Sequence, residues 1–157
     1  MRHSVDMRLR KVDHIGISVS DLTAALAFWE PFLGREGQRR TFDFPEVGRI
    51  IGYPGVTLQS AFLDLPGGIV LELIDYQIDK PPAIAADASA APGHQHFAIE
   101  VDDIHAAAEH ATACGARIVS DGPVAVMSGP FKGAHAVYLR VPPDGQTLEF
   151  IQAAPGS

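Results

Sequence analysis

Apolar and polar positions alternate along this chain in one pattern that occurs twice. The stretch Asp13-His14-Ile15-Gly16-Ile17-Ser18-Val19-Ser20-Asp21-Leu22 returns 82 positions later as Gln95-His96-Phe97-Ala98-Ile99-Glu100-Val101-Asp102-Asp103-Ile104. Each copy reads as a strand of period two, then an aspartate suited to cap a helix, then an alanine-rich segment. In the first copy Leu22, Leu26 and Trp29 fall on one helical face, with Leu33 a turn further on. Pro31 should bend or shorten that helix, and Gly34 should end it.

The downstream pattern repeats as well. Val70-Leu71-Glu72-Leu73-Ile74 is matched 77 positions on by Thr147-Leu148-Glu149-Phe150-Ile151. Between helix and closing strand, the first half offers strands at 36–44 and 56–65, separated by a long loop punctuated by Pro45 and Gly52-Tyr53-Pro54-Gly55. A Pro66-Gly67-Gly68 turn leads to a strand over 69–76. The second half predicts a strand at 94–101, a helix at 103–114 stopped by Gly115, and a strand near 116–120. Strands at 134–141 and 146–153 follow, joined by Pro142-Pro143-Asp144-Gly145. The expectation is an α+β fold of two βαβββ modules, 11–76 and 93–153, after a tail (1–10) and around a Pro/Ala-rich linker (77–92).

Length and composition narrow the partners. At 157 residues and 46% hydrophobic content, the chain suffices for one ordinary core. No apolar run approaches a membrane span, and residues 1–11 lack the apolar centre of a secretion signal. A single cysteine, Cys114, excludes an internal disulfide and suits a reducing cytoplasm. A net charge of −7 argues against nucleic acid as the main partner and leaves a small molecule.

Four residues at matched places carry the chemistry. In a strand, residues two apart share a face, so His14 goes with Gly16 and Ser18, and His96 with Ala98 and Glu100. Glu72 and Glu149 each sit between apolar neighbours, where a carboxylate is costly to bury unless paired or metal-bound. Any one of them alone is more commonly an ordinary strand residue. Their recurrence at matched positions favours His14, Glu72, His96 and Glu149 as one N/O ligand set for Zn, Ni, Co, Mn or Fe.

These residues, with Tyr138-Leu139-Arg140 and Asp144-Gly145-Gln146-Thr147-Leu148-Glu149, resemble the vicinal oxygen chelate superfamily over roughly residues 11–153. That group includes glyoxalase I, methylmalonyl-CoA epimerase, fosfomycin-resistance enzymes, bleomycin-binding proteins and extradiol dioxygenases. The resemblance implies paired modules closing a half-barrel around one divalent ion, with the four residues above as its ligands. One departure stands out. Epimerases of the group carry a further glutamate just before the third strand of the first module, where this chain has Tyr53-Pro54-Gly55, with Glu46 the nearest acid.

The activity this implies is that of a metal-dependent lyase or isomerase. It acts by proton transfer through an enediolate or enolate, with Glu149 or Glu72 moving the proton. A competing reading is Fe(II)-dependent extradiol-type ring cleavage by His14, His96 and Glu149, which the extra carboxylate Glu72 disfavours. A metal-free drug-binding protein is the third, disfavoured by the complete ligand set. His135 and Gln59 hold corresponding strand positions and are expected to face the cavity, His135 as a proton shuttle. Arg49 and Lys132, in corresponding loops, are candidates to hold an anionic substrate. His94 shares the face of His96 but lacks its following motif; His3, His105 and His110 read as solvent-facing, and Cys114 as buried filler. Exposed sheet edges and the resemblance both predict a homodimer, with the ligands drawn from one chain or from two.

Overall fold

The computed structural model describes residues 10–85 and 88–156. The expected tail with His3 lies outside them except for Arg10, as do linker residues 86 and 87. The first half runs β1 (His14–Ser18), α1 (Leu22–Leu33), β2 (Gln38–Phe42), α2 (Pro45–Ile51), β3 (Leu58–Asp64) and β4 (Val70–Tyr76). The second runs β5 (His96–Glu100), α3 (Ile104–Ala113), β6 (Arg117–Ile118), β7 (Val124–Ala125), β8 (His135–Val141) and β9 (Gln146–Gln152). Among the described residues, three helices and two sheets make the expected α+β fold. The sheets have matching strand orders, β1-β4-β3-β2 and β5-β9-β8-β6, with β7 added against β8. In each, the opening strand runs parallel to the closing one and all other pairings are antiparallel.

Helix starts follow the aspartates. Asp21 accepts a hydrogen bond from the Ala24 N–H at 2.8 Å, and Asp103 accepts from those of His105 and Ala106 at 3.0 Å each. A second cap comes from the sheet and also repeats. The Leu22 N–H donates to Asp75 Oδ2 at 3.1 Å, and the Ile104 N–H to Gln152 Oε1 at 2.9 Å. Pro31 does not shorten α1, which continues to Leu33 and ends on left-handed Gly34. Phe28 and Trp29 are fully buried and Phe32 stacks on Phe28, so packing outweighs the one missing N–H. The long loop expected after β2 holds a short helix, α2. Pro45 opens it, Gly52 closes it, and its Val47 packs with Val56 and Leu58.

Register decides which way each half faces. Leu71, Leu73, Ala61 and Leu63 of the first sheet lie in one core cluster with Leu148, Phe150, Val137 and Leu139 of the second. Residues of α1 and α3 complete that cluster. Trp29 stacks on Phe97 and Phe32 on Phe150, tying α1 to the second module at centroid distances of 6.1 and 5.7 Å. The modules therefore meet through their helix-bearing faces. Because strand side chains alternate, the residues between those core positions point away from the core on both sheets.

Candidate metal centre

The outward face of the first sheet carries His14 and Glu72. His14 pairs with Val70 and Gly16 with Glu72, so the two side chains meet diagonally, Nε2 to Oε2, at 3.2 Å. The second sheet repeats the register: His96 with Thr147, Ala98 with Glu149, and an Nε2 to Oε2 distance of 3.0 Å. His14 Nδ1 donates to Asp13 Oδ2 at 2.9 Å, since a carboxylate can only accept. That bond, followed by the charge of Lys11, holds the Asp13 carboxyl below its ordinary range. With Nδ1 so engaged, Nε2, 3.2 Å from Glu72 Oε2, is the ring nitrogen that could take a metal, as where a carboxylate orients a metal-binding imidazole. In the second half, the Tyr138 hydroxyl lies 3.2 Å from His96 Nε2. Tyr138 faces Glu149 across the strands as Phe62 faces Glu72, so this hydroxyl and the Asp13 bond to His14 distinguish the two pairs.

The pairs stay apart. Among the described residues no three His, Cys, Asp or Glu side chains group as a metal site. The reason is the packing just described: with both helix faces turned to one core, the two faces that carry the His–Glu pairs look outward. Each half nevertheless offers an imidazole and a carboxylate, neither of them bonded to a lysine or arginine among the described residues. Such N/O half-sets fit a borderline divalent cation, two of them making four ligands.

Gln59 and His135 do not join either pair. Gln59 pairs with Asp75 and His135 with Gln152, the residues that cap α1 and α3, so both lie on the helix side of their sheets. The expectation that they face the cavity fails on strand parity. The His135 ring lies 6.5 Å from that of His105 on α3. Arg49, in the last turn of α2, and Lys132, in the loop before β8, are exposed, and neither forms an ion pair among the described residues. His94 bonds Thr147 Oγ1 at 2.7 Å, and His110 bonds the Phe32 carbonyl at 3.0 Å while stacking on its ring.

Two hollows border these faces. One of about 530 Å3 lies against His14, Phe62 and Arg40 on the first outward face. A larger cleft of about 690 Å3 runs between β1, the start of β5, the 142–146 turn and linker residues 80–84. It touches His96 but neither glutamate, so size alone does not mark the chemistry. In the sequence Tyr138 and Asp13 stand out only as parts of motifs. Their roles emerge from register and from adjacency to the histidines. No described helix is long and apolar enough to cross a membrane.

The two related sheets, each opened by a strand and a helix, define a two-module α+β protein, with α2 added in the first half and β7 in the second. The chain belongs to the glyoxalase/bleomycin resistance protein/dioxygenase superfamily, whose profile matches residues 13–138. It is 24% identical over 143 residues to the uncharacterised protein YwbC of Bacillus subtilis (strain 168), covering 91% of this chain and 98% of that one. A glyoxalase family protein from Bacillus cereus is similar in structure, with TM-score 0.80, 21% identity, and 96% and 98% of the two chains covered. A glyoxalase I variant from Zea mays matches with TM-score 0.60 and 25% identity over 90% of this chain and 44% of that chain.

Proposed function

We propose that the protein is a divalent-metal-dependent lyase or isomerase whose site forms between two copies of the chain. In this reading His14 and Glu72 of one copy join His96 and Glu149 of the other. The observation that carries it is the identical diagonal register of the two His–Glu pairs on faces turned away from each other. Half a ligand set on each face calls for a second face opposite it. A bound divalent ion supplies Lewis acidity to two neighbouring oxygens of a small substrate. Glu149 or Glu72 takes the proton from the carbon beside the polarised carbonyl and returns it to the substrate. Tyr138 sits beside this pair, with its hydroxyl placed to hold a substrate oxygen. Asp13 keeps the His14 ring in its ligating tautomer.

The test combines metal analysis with solvent-deuterium exchange. One divalent ion per chain, together with deuterium incorporation into a turned-over 2-oxo or thiohemiacetal substrate, supports the proposal. His96→Ala should lose metal by more than the roughly 10–100-fold typical of removing a hydrogen-bond partner behind a ligand. A His96→Ala protein that keeps a full equivalent after dialysis against a mild chelator refutes the ligand assignment. Iron with O2 uptake and no exchange would instead indicate ring cleavage.

A further inference from the structure

Beside the second His–Glu pair lies a cation without a counter-charge. Arg140 is 6% exposed, and among the described residues no carboxylate pairs with it. Its guanidinium donates to the hydroxyls of Thr147 and, at 3.2 Å, Ser89, while its Nε has no partner. Thr147 in turn is held by His94 at 2.7 Å. A buried guanidinium satisfied only by neutral hydroxyls is expensive, because nothing offsets its lost hydration. The sheet adds to the cost: Arg117 on β6 sits directly across from Arg140 on β8, a like-charge cross-strand pair. Two arginines facing each other, one buried with a free donor, have the form of an anion site.

The position is informative. Arg140 pairs with Thr147 and Tyr138 with Glu149, so the arginine shares the outward face with the ligand pair, two residues along both strands. That spacing is about 7 Å at strand rise. On the first sheet, the outward face carries the apolar Phe62, Leu58, Ile74 and Tyr76, with Arg40 on the edge strand across from Ser60. Arg40 is exposed to solvent, so the buried guanidinium with an unused donor is on the second module's wall.

We infer that Arg140, assisted by Arg117, binds an oxyanion group of the substrate, a carboxylate or a phosphate, about two strand residues from the reacting centre. This deepens the reading above by assigning the substrate an acidic head group. It is tested so that the two ideas fail separately. Metal-free protein, kept in chelator, is titrated with inorganic phosphate and with acetate, with chloride at equal ionic strength as control. The readout is the arginine Nε–H resonance that Arg140→Gln removes from the nitrogen–proton spectrum. A saturable shift of that resonance, absent in chloride, is expected. Arg117→Gln, at an exposed position, should weaken the binding at least about threefold, and Arg140→Gln at least about tenfold, as for lost charge-assisted hydrogen bonds. The better-bound anion identifies the head group, and equal binding leaves it an oxyanion of either kind. No saturable shift in the wild type overturns the inference, as does unchanged binding in Arg117→Gln, which needs no buried replacement. Neither result bears on metal stoichiometry, which is measured without the anions.

Discussion

At residue level, the two histidines are presented differently although their register is the same. His14 is steered by Asp13 through Nδ1, whereas His96 shares its Nε2 with Glu149 and the Tyr138 hydroxyl. The neighbouring aspartate is exposed, so its hydrogen bond adds little to folding and acts mainly on the tautomer and orientation of the ring. Asp13→Asn keeps the shape and removes the acceptor charge. It should weaken divalent-metal binding about 10–100-fold with little change in melting temperature. Competition against a chromophoric chelator reads the first effect and thermal denaturation the second. A fall in melting temperature of more than a few degrees with unchanged metal affinity would make Asp13 a structural residue.

Among elements, the recurring device is a side chain from the closing strand that satisfies the first N–H of the preceding helix. Asp75 does this for Leu22 and Gln152 for Ile104. Gln152→Met fills the same space but leaves the Ile104 N–H, at a buried residue, without an acceptor. A cost of about 1–3 kcal/mol follows, the usual penalty for an orphaned buried donor. Urea denaturation measures it, and a change below about 0.5 kcal/mol would show the aspartate cap to be sufficient alone. The same residues explain what was legible in the sequence. Alternation, caps and the repeat are local signals, so the strands, the long helices and the matched His and Glu positions could be read from residues near one another. Which face Gln59 and His135 occupy depends on how β3 and β8 pair with β4 and β9, a non-local register. A one-residue difference in counting turns each to the other side. The helix α2 was hidden because Pro45 and Gly52, read as loop punctuation, serve equally well as helix start and stop.

For the whole molecule, the decisive fact is that one core joins both modules through their helix faces. No local pattern predicts this, because apolar stripes on α1 and α3 are satisfied equally by packing within a module and between modules. With the modules back to back, the proposed metal site needs a partner for each His–Glu face, and the twofold symmetry common to soluble oligomers would let one chain's first face meet another's second. Mixing chains decides the matter. A His14→Ala chain and a His96→Ala chain each lack one ligand in every site of their own dimers. In a mixed dimer with shared sites, one site takes both substitutions and the other takes neither. The mixture should therefore regain full-affinity metal binding in about half of the mixed dimers' sites. Ion analysis of the mixed dimer, isolated through two different affinity tags, reads that fraction directly. No recovery in a confirmed mixed dimer would place all four ligands within one chain, requiring the modules to reorient. A chain that stays monomeric at micromolar concentration by light scattering, while holding a full equivalent of metal, would end the shared-site reading altogether.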